Sequence, residues 1–208
     1  MTPVPVAGPG GGEAARRKPL FVLVGGGARS GKSRFALERA LALGERGAHG
    51  RGLFLATAEE SDDEMRARIA RHREERDARW RTLEAPLALA LALDDAGAHD
   101  VILVDCLTLW LSNLLVRGAT IDQVLARVDE VRAALARRRV PVVIVTNEVG
   151  LGLVPETPLG RAFRDVSGLA HQRLAADADE LHVAVMGVVL RLRPDPVAVT
   201  PVTVDIPA

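Results

Sequence analysis

The stretch from Leu20 to Ser33, LFVLVGGGARSGKS, constrains this chain more than any other. Leu20 to Val24 is an apolar run of strand length. It ends in glycines and continues as Gly26-x-x-x-x-Gly31-Lys32-Ser33. The next residues, RFALERALAL, are helix formers with apolar side chains at helical spacing. Strand, glycine-rich loop and helix are the context in which this spacing captures phosphate. Successive loop N–H groups converge on phosphate oxygens, and the helix N-terminus adds positive potential. On this reading Gly26, Gly27, Ala28, Arg29, Ser30, Gly31, Lys32 and Ser33 cradle the phosphates of a nucleotide. Lys32 reaches the β- and γ-phosphates, and the Ser33 hydroxyl ligates Mg²⁺. The bland alternative is an ordinary glycine-rich turn. Lysine usage argues against it: of 27 basic residues only two, Lys18 and Lys32, are lysine. A lysine kept inside the loop of an arginine-dominated chain marks a place for a compact ammonium.

Strand-like runs recur at 21–25, 52–57, 101–105, 141–146 and 181–190, with helical patterns between them. They are apolar throughout rather than alternating, as in strands covered on both faces. The alternation predicts an α/β fold with a mainly parallel central sheet flanked by helices, the P-loop NTPase (RecA-like) class. The segment APLALALALDDAG fits a strand by its alternation and a helix by its composition; the crossover that the rhythm requires makes it a helix. One catalytic domain is expected over 19–193. The Pro- and Gly-rich residues 1–18 read as a disordered extension, and 194–208 as an extended Pro-rich tail. Zero formal net charge and the lack of a basic block argue against nucleic acid or an anionic membrane as the main partner. The lone cysteine, Cys106, forbids an internal disulfide and fits a reducing, cytoplasmic compartment; its apolar surroundings predict burial.

In parallel α/β sheets, ligands sit at the carboxyl ends of the strands. The third run ends in Asp105, the pattern of a strand whose terminal carboxylate holds Mg²⁺, although such an Asp also serves as a helix cap. The fourth ends in Thr146-Asn147-Glu148, polar groups suited either to orienting a substrate or to capping a loop. Ser61 and Glu64 form a capping-box pattern ahead of a helix on which Met65, Ile69, His72 and Arg76 share a stripe. That stripe turns His72 toward the protein body; by spacing alone it reads as a helix histidine packed at the domain surface rather than as a functional one. Thr120 reads as the cap of the amphipathic helix that begins at Ile121, and His171, with no partner in sequence, as structural.

Several segments together resemble one family: GGARSGKSR, LFLATAEESDDEMRARIARHREERDARWRTLEAP, VDCLTLWLSNLL and VTNEVGLGLVPETPLGRAFRDVSGLAHQRLAADADE. It is the bifunctional adenosylcobinamide kinase / adenosylcobinamide-phosphate guanylyltransferase family of cobalamin biosynthesis. The resemblance runs from about residue 21 to about residue 192. It implies phosphorylation of adenosylcobinamide from ATP or GTP, and then transfer of GMP from GTP to the new phosphate. It implies that His72 carries GMP covalently, so that His72 and Lys32 are catalytic. Nucleotide contacts are implied at Ala56, Thr57 and Ala58, at Arg73, Glu74, Glu75 and Arg76, and at Glu84 and Asp105, with Ser33 and Asp105 on Mg²⁺. The resemblance further implies a homotrimer with sites near subunit boundaries. The pair His171-Gln172 departs from the family's Asn-Gln. The rival readings are a RecA-like nucleotide-driven module and a P-loop kinase of another small metabolite.

Overall fold

Within each central strand, odd and even residues face opposite sides of the sheet, and here both sides are apolar. The structure, a computed structural model, describes residues 18–45, 47, 50–59, 79–95, 97–195 and 199–201. Its strands are β1 (Phe21–Gly26), β2 (Gly52–Ala56), β3 (Trp80–Glu84), β4 (Val101–Asp105), β5 (Val142–Val145), β6 (Glu180–Val185), β7 (Val188–Arg193) and β8 (Val199–Pro201). Its helices are α1 (Lys32–Gly44), α2 (Leu89–Asp94), α3 (Leu107–Val116), α4 (Ile121–Ala136) and α5 (Pro158–Asp177). Phe21, Leu23, Leu53, Leu55, Ile102, Val104 and Ile144 pack against α2 to α5 on one face. Val22, Val24, Val101, Leu103, Val143 and Val145 pack against Ala36, Ala40 and Leu43 of α1 on the other. This two-sided burial is why the runs lack polar alternation.

The eight strands lie in the order β3-β2-β4-β5-β1-β6-β7-β8. The pairs from β3 to β6 are parallel. β7 and β8 add antiparallel at one edge. The mainly parallel sheet and its flanking helices are therefore as expected, and APLALALALDDAG does contain a helix, α2. Thr120 caps α4 in a capping box with Gln123.

One reading is corrected, and two strands lie where none was expected. The run 181–190 is not one strand but parts of a hairpin, β6 and β7, turned at Met186 and Gly187 with φ of 51° and 78°. Residues 80–84 form an edge strand, where the sequence shows only the end of a charged helical stretch. Residues 199–201, expected in an extended tail, pair with β7. The predicted extension at 1–17 and the capping box at Ser61 and Glu64 lie outside the described residues. No described helix is long and apolar enough to cross a membrane.

Candidate functional site

Register lines up the carboxyl ends of the central strands. Ala56 pairs with Asp105, Asp105 with Val145, Val145 with Val24, and Val24 with His182. Asp105 and the end of β1 are thus two strand spacings apart, about 10 Å. Immediately beyond, β1 enters the phosphate loop. Gly26 has φ of +157°, and a Cβ there would lie 2.6 Å from the Ala184 carbonyl oxygen and 2.7 Å from Ser30 Oγ. Gly31, at φ 89°, is the residue from which α1 starts. Both positions require glycine for the loop to curl as it does.

Lys32 is only 6% exposed, and its Nζ donates to the Gly27 carbonyl at 3.0 Å. The ammonium thus lies under the loop. Ser30 is equally buried, and its hydroxyl has no hydrogen-bond partner. A buried unpaired hydroxyl is costly unless a ligand completes it, and a phosphate oxygen is a fitting acceptor. Gly27, Ala28 and Arg29 are exposed on the loop's outer side, and Ser33 is half-buried in the first turn of α1. Ser33 and Asp105 provide hard oxygen donors, the type Mg²⁺ takes while keeping water and phosphate oxygens in its remaining positions. The residues therefore fit that ion.

The N-cap position of α3 is taken by Cys106, whose side chain makes no capping hydrogen bond. A different residue holds this corner. Thr57, with no exposed surface, donates from Oγ1 to the Cys106 carbonyl at 2.7 Å and accepts from the Cys106 N–H at 2.8 Å. Its own N–H donates to the Asp105 carbonyl at 3.3 Å. The Thr57 side chain is a brace between β2 and β4, whereas Ala56 and Ala58 are half-buried at the strand end. Asn113 extends the brace, donating from Nδ2 to the Thr57 and Pro86 carbonyls at 2.8 and 3.1 Å. Glu84 is exposed at the carboxyl end of β3. The Cys106 thiol is buried, and burial first, then the Asp105 carboxylate, pushes it above its ordinary value, so it is no nucleophile.

The end of β5 is joined to the same site. Thr146 N–H donates to the Val24 carbonyl at 2.9 Å, and Glu148 N–H to the Gly26 carbonyl at 3.0 Å. Asn147 Nδ2 donates to Thr108 Oγ1 at 2.9 Å. His171, from α5, comes within 2.6 Å of Thr146 Oγ1 through Nε2 and within 3.9 Å of Glu148 Oε2 through Nδ1. Burial holds its imidazole below the ordinary range, and Glu148 offsets this in part. His171 therefore has partners at the site that adjacency in sequence does not reveal. Neither Asn113 nor Thr108 carried a signal of its own, as two of the three polar side chains in a mostly apolar helix. His72, Arg73, Glu74, Glu75 and Arg76 lie outside the described residues.

Comparison with known proteins places this geometry. The profile of a family described as cobinamide kinase / cobinamide phosphate guanyltransferase matches residues 22–192. The bifunctional adenosylcobalamin biosynthesis protein CobP of Pseudomonas aeruginosa is 43% identical over 182 residues, covering 84% of this chain and 98% of that protein. The bifunctional adenosylcobalamin biosynthesis protein CobU of Salmonella typhimurium is 42% identical over 189 residues, 84% of this chain and all of that one. Among solved structures, the RadB recombinase superposes with a TM-score of 0.50 at 16% identity, covering 88% of this chain and 87% of that one. That likeness concerns the RecA-like fold alone. The chain belongs to the cobinamide kinase / cobinamide phosphate guanyltransferase family.

Proposed function

We propose that this chain performs two successive transfers onto adenosylcobinamide: a phosphoryl group from a nucleoside triphosphate, then GMP from GTP. The observation that carries the reading is a family match spanning 22–192, which contains an intact phosphate loop with Lys32 buried beneath it. In the first transfer the substrate hydroxyl oxygen attacks the γ-phosphorus and releases its proton to water, the bond to the β,γ-bridging oxygen breaks, and the nucleoside diphosphate departs. The loop N–H groups and Lys32 hold the phosphates in line and offset charge as it shifts toward the leaving oxygen. Ser33 and Asp105 are the residues that would hold Mg²⁺, which supplies charge neutralisation on the phosphates when bound.

In the second transfer His72 is the proposed nucleophile. A neutral imidazole nitrogen attacks the α-phosphorus of GTP, the α,β-bridging bond breaks, and pyrophosphate leaves. An oxygen of the cobinamide phosphate then attacks the same phosphorus, and the N–P bond breaks to restore the histidine. Arg73 and Arg76, close to His72 in sequence, are proposed to offset the pyrophosphate charge, with Glu74, Glu75 and Glu84 at the nucleotide. Ala56 and Ala58 are proposed to line the nucleotide through backbone and small side chains, beside the Thr57 brace. A homotrimer in the cytoplasm is proposed as the working form. The exposed Val185, Met186, Leu190 and Leu192 on the β6–β7 hairpin are proposed to form one part of a larger assembly interface, and light scattering tests it.

The experiment is product analysis with adenosylcobinamide, Mg²⁺ and either ATP or GTP. Adenosylcobinamide phosphate is expected with the kinase donor, and adenosylcobinamide-GDP with pyrophosphate once GTP is present. Lys32→Ala is expected to lose at least about 100-fold in the kinase step, because the ammonium supplies transition-state charge. Near-parental turnover by Lys32→Ala would contradict the reading.

A further inference from the structure

The loop that joins β5 to α5 exposes apolar side chains at the catalytic end of the sheet. Leu151 is 92% exposed, Leu153 95%, Val154 66%, and Leu159 in the first turn of α5 50%. These side chains stand on a fastened backbone. At its root Glu148 N–H donates to the Gly26 carbonyl, and Glu148 Oε1 accepts from Gly150 N–H at 2.5 Å. Arg164 donates to the Gly150 carbonyl at 2.9 Å. Arg161 donates to the Pro155 and Glu156 carbonyls at 3.0 and 2.7 Å, and Thr157 caps α5 by accepting from Gly160 N–H at 3.1 Å. A chain so tied at both ends presents its leucines to something other than water.

Two occupants compete: a second copy of the chain, or the acceptor substrate. Stable protein interfaces cover about 800 Å² on each partner, more than four side chains supply. The patch is also continuous with the phosphate loop through the Glu148–Gly26 bond. An acceptor must hold its hydroxyl in line with the transferable phosphate at that loop. The remainder of a large acceptor then falls on the neighbouring loops. A corrinoid is a broad macrocycle with methylated, largely apolar faces and an amide rim, so its face matches exposed leucines and its rim matches the polar loop backbone.

We infer that Leu151, Leu153 and Val154 form the surface on which the corrinoid ring of the acceptor rests. The inference rests on the reading of the acceptor as adenosylcobinamide. The loop fixes the acceptor's orientation while the phosphate loop fixes the donor's.

The test is the double variant Leu151→Ser/Leu153→Ser, compared with the parent in three measurements. The KM for adenosylcobinamide in the kinase step is expected to rise about 10-fold or more, the scale of lost apolar contacts in a substrate site. The KM for the nucleotide and the formation of a GMP adduct from GTP without corrinoid are expected to stay within about twofold, since these depend on the phosphate loop and His72. Mass by light scattering is expected to equal the parent's. An unchanged KM for adenosylcobinamide overturns the inference. A fall in oligomeric mass also overturns it, by placing a second copy on the patch. A parent that forms the GMP adduct yet neither binds nor turns over adenosylcobinamide overturns the acceptor reading itself, which is a different failure from an unaltered KM.

Discussion

Thr57→Val is a near-isosteric change that removes one hydroxyl from a site with no exposed surface. That hydroxyl makes two hydrogen bonds to the backbone of Cys106, one to the N–H at 2.8 Å and one to the carbonyl at 2.7 Å. The carbonyl keeps a second partner, the Trp110 N–H at 3.3 Å. The N–H is left buried and unpaired. An orphaned buried donor costs about 1–3 kcal/mol, and a lost neutral hydrogen bond about 0.5–1.5 kcal/mol. The sum is about 1.5–4.5 kcal/mol, which for a chain of this size lowers Tm by roughly 3–18 °C. Thr57→Ser keeps both bonds and loses a methyl group, about 1 kcal/mol. Since Cys106 follows Asp105 directly, the valine variant is expected to lose kinase turnover at temperatures where it is still folded, and the serine variant to keep it. Thermal melts with kinase rates at 20 °C check both. A fall in Tm below about 2 °C with unchanged turnover would refute the claim that Thr57 braces the Asp105 corner.

Two other perturbations test neighbouring parts. Gly26→Ala puts a Cβ 2.6 Å from the Ala184 carbonyl oxygen, a backbone atom that cannot swing away. Nucleotide affinity, measured by titration calorimetry, is expected to fall at least about 10-fold, as misplacement of a positioning group does. Glu180 supplies the pH prediction: burial alone would raise its carboxyl, but hydrogen bonds from His182 and Arg39 outweigh this and hold it at about 2. A depressed carboxyl contributes stability that is present above its unfolded value and lost as pH falls toward the folded one. Of that contribution, about 2 kcal/mol should vanish between pH 6 and pH 3. Urea midpoints are therefore expected to fall more steeply over this range in the parent than in Glu180→Gln.

What could be read from sequence was what is local. The phosphate loop is one contiguous stretch whose strand and helix flank it, so spacing and context pointed to the same structure. The central strands declared themselves because both faces are buried. β3 did not, because it is an edge strand with Arg81, Thr82 and Glu84 exposed, which hides any apolar period. The hairpin between β6 and β7 was hidden because its turn begins with Met186 at positive φ, a residue that gives no turn signal. The site's internal bracing was out of reach for another reason. Thr57 meets Cys106 across 49 residues, and Thr146 meets His171 across 25, contacts made by sheet register and helix packing. His72 became a candidate through family resemblance; its stripe on a helix had favoured a histidine packed at the domain surface.

The central claim, that one chain carries GMP on a histidine between two transfers, is tested most directly by intact mass spectrometry. The protein is incubated with GTP and Mg²⁺, without corrinoid, and kept at alkaline pH, where a phosphoramidate survives. The expected result is one GMP per chain, lost on acidification and absent from His72→Ala. GTP binding without an adduct, or an adduct that persists in His72→Ala, would contradict the covalent step.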